Sequence, residues 1–202
     1  MVMAGMLDSY RNSDAIVLAI PAGGVPVAAV IANQLKLHID VAVISKITLP
    51  WNTEVGYGAV AFDGTVRLNE DLLPRLGLTE QEIQKGIDRT LRKVTLRANK
   101  LRGDRPFPDI SQRLVILIDD GLASGFTMLV AIEALRKAGA GHIVVTVPTG
   151  HCDAVQRVAS KIELFYCANI RSGCRFAVAD AYEKWTDVDE EEVVRIMAQH
   201  YF

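Results

Sequence analysis

The chain has 202 residues, half of them hydrophobic and 23% charged; it can bury a core of sheet and helices and is too apolar to be mainly disordered. Its 22 basic and 24 acidic residues leave a net charge of −2, which excludes a global positive field for holding nucleic acid or an anionic membrane. No apolar run approaches the ~20 residues of a membrane span, the opening MVMAGMLDSYRNSD lacks a secretory pattern, and Cys152, Cys167 and Cys174 have neither framework number nor zinc spacing, so a cytoplasmic protein with free thiols is expected.

Short β-branched runs alternate with helical patterns, as in βαβ units around a parallel sheet. The first predicted strand is Ala15 to Pro21, followed by a helix from Val25 to about Lys36 and a strand from Ile39 to Ser45. Between Lys46 and Arg113 the rhythm breaks. Glycines and proline predict a loop over Lys46 to Gly58, the pair Asp63-Gly64 predicts a hairpin, and Thr79 with Glu82 forms a capping box opening a charged helix to about Leu101. The remaining strands are Leu114 to Asp119, Ile143 to Pro148 and Ile162 to Cys167; the remaining helices are Thr127 to Lys137, Asp153 to Lys161 and Glu190 to Gln199. The strands are almost continuously apolar, as strands covered on both faces must be. These elements predict one α/β domain over 1–202, with a Rossmann-like, mainly parallel sheet flanked by helices.

Ligands in such sheets lie beyond the carboxyl ends of the strands. After Leu114 to Ile118 come two acids, Asp119 and Asp120, then the small-residue string Gly121, Leu122, Ala123, Ser124, Gly125, and then Thr127 at the start of a helix. Small residues let backbone N–H groups converge on an anion at the positive end of a helix. Two acids would repel a bare anion but accept hydrogen bonds from sugar hydroxyls, so a ribose 5-phosphate satisfies both halves. The plainer alternative is a strand-end acid and a tight turn. A P-loop is excluded because Phe126 stands where its lysine belongs, and a hydrolase elbow fails because Ser124 falls one place late. No GxGxxG occurs, and His38, His142, His151 and His200 have no metal-ligand spacing, so a protein-only metal site is not expected.

The stretch LVILIDDGLASGFT resembles the phosphoribosyl-pyrophosphate (PRPP) signature of type I phosphoribosyltransferases. IPAGGVPVAAVIA (20 to 32), SKITLPWNTEVGYGAVAFDG (45 to 64) and FAVADAYEKWTDVDEEEV (176 to 193) resemble segments of small bacterial and archaeal phosphoribosyltransferases, so the likeness covers almost the whole chain. It implies that family's fold, with a flexible loop or hairpin insertion and a small C-terminal hood. It also implies transfer of 5-phosphoribosyl from PRPP to a nitrogen acceptor, a nucleobase or related heterocycle, with release of pyrophosphate.

The resemblance assigns the ribose hydroxyls to Asp119 and Asp120, and the 5-phosphate to Gly121, Leu122, Ala123, Ser124, Gly125 and Thr127. Pyrophosphate falls to Ala22, Gly23, Gly24 and Lys46, reaction-loop roles to Lys46 and Glu54, and the acceptor to Tyr182 and Trp185, with Phe176 as a further hood aromatic. Mg²⁺ is implied as cofactor, reaching the protein through the substrate with Asp119 and Asp120 nearby. The peptide entering the glycine pair, Ala22–Gly23, is expected to be cis or to mark a relaxed turn. The chain departs from its relatives at Ala22, where they carry Arg, at Ser45 and Phe126, and in a leading helix expected to be a turn or two short. Ala22 keeps a second reading open, a non-catalytic PRPP- or nucleotide-sensing regulatory protein. The expected partners are PRPP and a small-molecule acceptor, with the chain as a homodimer. The basic helix from Lys85 to Arg105 reads as a solvated face or dimer contact rather than a nucleic-acid site.

Overall fold

Alternation along the strands decides which helices cover which face of the sheet. The computed structural model describes residues 2–103, 105–173 and 175–200, the side chains of Thr53 and Glu54 excepted. In chain order the elements are α1 (Val2–Met6), β1 (Ile16–Ala19), α2 (Gly24–Leu35), β2 (His38–Val41), β3 (Ile44–Leu49), β4 (Asn52–Ala61), β5 (Val66–Leu68), α3 (Leu73–Leu76), α4 (Glu80–Arg102), β6 (Leu114–Ile118), α5 (Phe126–Lys137), β7 (His142–His151), α6 (Cys152–Ala159), β8 (Leu164–Arg171) and α7 (Glu190–Ala198). Short 3₁₀ turns lie at Asp8–Tyr10 and Val178–Ala181. Among the described residues, no helix is long and apolar enough to cross a membrane.

Five strands form a wholly parallel sheet in the order β2-β1-β6-β7-β8. Val17, Ala19, Ile116, Ile118 and Val144 face one way, onto Ala28, Ala32 and Leu35 of α2 and onto Val193 and Met197 of α7. Their neighbours Leu18, Val115, Leu117 and Val145 face the other way, onto Val130, Ala134 and Leu135 of α5 and Val158 of α6. This period of two, with both faces apolar, is why the strands read as continuous hydrophobic runs.

The segment predicted as one strand from Ile39 to Ser45 is two. Its first half, β2, pairs with β1; its second half enters β3, in a separate antiparallel sheet of order β3-β4-β5. The run stays apolar across the break because Ala42, Val43 and Ile44 are buried where the two sheets adjoin. The loop predicted over Lys46 to Gly58 is also strand: β3 and β4 pair from Ile44↔Ala61 to Leu49↔Asn52, with register shifts after Ile47 and Thr48. Its glycines mark close packing rather than a loop. A Cβ on Gly58 would lie 2.8 Å from the Arg67 carbonyl oxygen and 2.9 Å from Ile47 Cδ1, contacts no real side chain tolerates. Trp51 is 66% exposed at the tip of this hairpin.

The hairpin at Asp63-Gly64 is present, with Gly64 at φ 86°, in the left-handed region glycine enters freely. The capping box also forms: Thr79 Oγ1 accepts from the Glu82 N–H at 3.3 Å, and Glu82 Oε2 accepts from the Thr79 N–H at 2.9 Å. At the other end of α4, Arg102 is buried against Asp40 of β2 through Nε to Oδ1 at 2.9 Å. The long helix is thus tied at both ends, and the β3–β4 hairpin packs on it.

Candidate functional site

Strand order reverses between β1 and β6, so the chain leaves these neighbours toward opposite faces and a crevice opens at their carboxyl ends. The turn entering α2 after β1 and the turn entering α5 after β6 border it. They are packed backbone to backbone. A Cβ on Gly24 would stand 2.9 Å from the Ile118 carbonyl oxygen and 3.0 Å from Asp119 Cα, and one on Gly23 would stand 1.8 Å from Asp120 Oδ2. Glycine at both positions is what lets the two acids sit against the first turn. The cis peptide in that turn is Pro21–Ala22, one bond ahead of the expected Ala22–Gly23.

Both turns present unused donors. Among the described residues, the N–H groups of Ala123, Ser124, Gly125, Thr127 and Met128 have no protein acceptor, nor do those of Ala22 and Gly23. Convergent free amides at the first turn of a helix hold anions, because the helix dipole adds its positive end to the hydrogen bonds. The details differ from the sequence expectation at two positions. Leu122 does not face the crevice: its N–H donates to the Thr149 carbonyl at 2.9 Å, its carbonyl accepts from the His151 N–H at 2.8 Å, and its side chain is buried. It forms a bridge to Gly150 that extends the sheet and fixes the loop. Thr127 does not open the helix either; α5 begins at Phe126, Gly125 is its N-cap at φ 74°, and Ser124 Oγ accepts from the Phe126 N–H at 3.3 Å.

The acids are electrostatically strained. Burial pushes the Asp119 carboxyl well above the ordinary aspartate range, and the neighbouring Asp120 charge pushes the same way, with Lys46 opposing. Burial also raises Asp120, while hydrogen bonds with Asp119 and from the Asp120 and Gly121 backbone pull it back. The Asp120 N–H donates to Asp119 Oδ1 at 2.9 Å. Two crowded carboxylates of this kind gain from a ligand that brings hydroxyl donors or a cation. Lys46, an exposed residue of β3, is near enough to Asp119 to act on it, and Gly56 on β4 leaves room for its side chain, since a Cβ there would touch Lys46 Cβ at 3.4 Å. Glu54's side chain and Cys174 lie outside the described residues.

A C-terminal segment closes the crevice from above. Val178 lies on Gly121, where a Cβ would meet Val178 Cγ1 at 2.5 Å. The Tyr182 hydroxyl donates to the Asp120 carbonyl at 2.7 Å, and its phenol is raised by burial, then by the charges of Asp120 and Asp119. Trp185 meets the Tyr182 ring edge-on, 5.1 Å between centroids. Phe176 does not join this pair; it packs against His151 at 5.8 Å and beneath the Arg171 guanidinium at 5.6 Å. Between the hood and the first turn lies a cavity of about 330 Å³ lined by Ala22, Gly23, Pro26, Asp120, Tyr182, Lys184, Trp185, Asp187 and Glu192, among others. Sequence reasoning missed Lys184, Asp187 and Glu192 as cavity walls. Their signal was the aromatic and acidic run AYEKWTDVDEE, which does not say which side faces the core. A groove of about 780 Å³, lined by residues such as Arg67, Arg75 and Glu133, reaches Phe126, the first residue of α5, and Arg157, whose Nη1 donates to the Ser124 carbonyl at 2.7 Å.

An open parallel sheet with free amides and paired acids at its switch point places the chain among α/β proteins whose ligand crevice is suited to an anion. The chain belongs to the phosphoribosyl transferase domain family, whose model matches residues 2–180. Over 195 residues, 96% of the chain, it is 31% identical to a provisionally named phosphoribosyl transferase of Mycobacterium tuberculosis, 44% of whose length it spans. It is 30% identical over 148 residues to the bifunctional protein PyrR of Corynebacterium diphtheriae, covering 72% of this chain and 60% of that one. The crystal structure of TT1426 from Thermus thermophilus superposes with a TM-score of 0.79 at 28% identity, covering 98% of this chain and 94% of the other. The chain thus spans less than half the length of the M. tuberculosis relative it matches.

Proposed function

We propose that this chain transfers the 5-phosphoribosyl group of PRPP to a nitrogen acceptor, a nucleobase or related heterocycle, and releases pyrophosphate. The observation that carries this reading is the pairing of free amides at Ala123, Ser124, Gly125 and Thr127 with Asp119 and Asp120: one half suits a phosphate, the other the ribose hydroxyls. In the reaction the bond from the anomeric carbon to diphosphate breaks and its electron pair leaves with pyrophosphate. The acceptor nitrogen forms the new bond and gives up its proton to solvent or a loop base. No side-chain nucleophile is needed; the residues position, neutralise and exclude water. The amides of Ala22 and Gly23 and the ammonium of Lys46 suit the diphosphate, while Tyr182 and Trp185 offer ring faces to the acceptor.

Mg²⁺ fits this site as an ion carried by the substrate. Asp119 and Asp120 are hard oxygen donors whose crowding a cation relieves. Among the described residues, the one group of three ligand-capable side chains within 4.8 Å is His151, Cys152 and Asp153, at the start of α6 rather than between the two acids. When bound, the ion would neutralise the departing diphosphate. The proposal includes a homodimer in the cytoplasm; the exposed Leu164 and Ile170 on edge strand β8 offer apolar surface for the contact.

The test is calorimetric titration with PRPP and Mg²⁺, then pyrophosphate release across a panel of bases. Saturable binding with release on at least one acceptor is the expected result. Binding without release on any acceptor supports the sensor reading, which Ala22 favours by leaving the first turn without a cation. No binding overturns both.

A further inference from the structure

The cavity under the hood contains two carboxylates that the proposed transfer does not use. Asp187 and Glu192 line it together with Asp120, and Lys184 is the one cation among its lining residues. The Trp185 indole N–H donates to Asp187 Oδ1 at 3.3 Å, leaving the second carboxylate oxygen free, and the Glu192 side chain has no hydrogen-bond or ion-pair partner among the described residues. Glu192 sits in the first turn of α7, capped by Asp189, whose Oδ1 accepts the Glu192 N–H at 2.7 Å. Carboxylates accept hydrogen bonds and cannot donate them when ionised. A space that carries an aromatic pair on one side and an excess of carboxylate therefore discriminates by charge and by donor count.

Building on the transfer reading above, we infer that the acceptor is a planar heterocycle that presents an amino or amide N–H edge to Asp187 and Glu192, and that acceptors bearing a carboxylate are excluded. The rings of Tyr182 and Trp185 select planarity, and Tyr182, bound to the Asp120 carbonyl, places that ring pair beside the proposed ribose position. An acceptor whose edge offers only carbonyl oxygens leaves two carboxylates facing lone pairs, the kind of mismatch by which polar sites reject close analogues. An anionic acceptor adds like-charge repulsion.

Matched pairs test this in the full chain with saturating PRPP and Mg²⁺: adenine against purine, which lacks the exocyclic amino group, and nicotinamide against nicotinate. Pyrophosphate release is one readout, and quenching of tryptophan fluorescence by the acceptor is a second that does not need turnover. The member of each pair that bears the amino or amide group should be favoured by at least about tenfold. Asp187→Asn and Glu192→Gln, which keep size and can offer donors, should raise KM for the favoured member and narrow both ratios. The same variants should leave PRPP affinity unchanged. Preference for purine or nicotinate, or ratios that neither variant alters, overturns the inference while leaving the transfer reading intact. Failure of PRPP itself to bind overturns the two together.

Discussion

Gly23→Ala is expected to weaken PRPP binding by about 100-fold or more while the protein still folds. The ideal Cβ would lie 1.8 Å from Asp120 Oδ2 and 2.6 Å from its Cγ, so either the carboxylate swings away or the turn after β1 moves. Displacing the carboxylate forfeits hydrogen bonds to a charged group, about 1.5 to 3 kcal/mol, and moving the turn misaims the Ala22 and Gly23 amides as well. The added methyl group meets only atoms of the Asp120 side chain within close range, not backbone, so thermal unfolding should shift by only a few degrees. Calorimetry on the folded variant checks it; affinity equal to that of the native protein would mean that the crevice between the two turns is not the PRPP site.

Asp119→Asn is expected to stabilise the fold and weaken the ligand at once. Burial and the Asp120 charge raise the Asp119 pKa, so the folded state prefers the protonated acid. The stability this gives is fully present below the ordinary aspartate value of about 3.9 and is lost as pH rises through the raised one. Asparagine can still accept the Asp120 N–H without carrying charge, so at pH 7 to 8 the variant should gain about 0.5 to 2 kcal/mol, and the gain should vanish near pH 3, where the native carboxyl is neutral too. PRPP affinity should fall by about 1 to 3 kcal/mol, the worth of hydrogen bonds to a charged group. Denaturant unfolding across pH, read beside ligand titration, separates the two effects. A variant less stable than the native protein at pH 8 would remove the account of strained, function-directed acids.

Much of this was legible in the chain because the signals were local. Leu114 to Thr127 holds strand, acids, loop and helix start in fourteen consecutive residues, and Thr79 with Glu82 announces its helix from within one turn. Where the reading failed, one local pattern served two structures. Val41 to Ile44 is unbroken in hydrophobicity because it is buried where the two sheets adjoin. The glycines between Lys46 and Gly58 suggested a loop, yet Gly58 is small because Ile47 and Arg67 pack over it across the sheet. Leu122 sits in the small-residue string but serves as a bridge to Gly150, a pairing with a residue far along the chain. The hood cavity depends on where residues 182 to 192 settle against Ala22 and Gly23, and no spacing within either segment specifies that contact.

Specific backbone amides of the two turns are expected to bind PRPP. Following the ¹H–¹⁵N resonances of the uniformly labelled protein during titration with PRPP and Mg²⁺ tests it directly. The largest shifts are expected at Ala22, Gly23, Ala123, Ser124, Gly125 and Thr127, whose N–H groups have no protein acceptor, with Leu122 moving little because its N–H is held by Thr149 at 2.9 Å. Saturable binding that leaves those amides unmoved, with its shifts along the groove lined by Arg67 and Arg75 instead, would contradict the account.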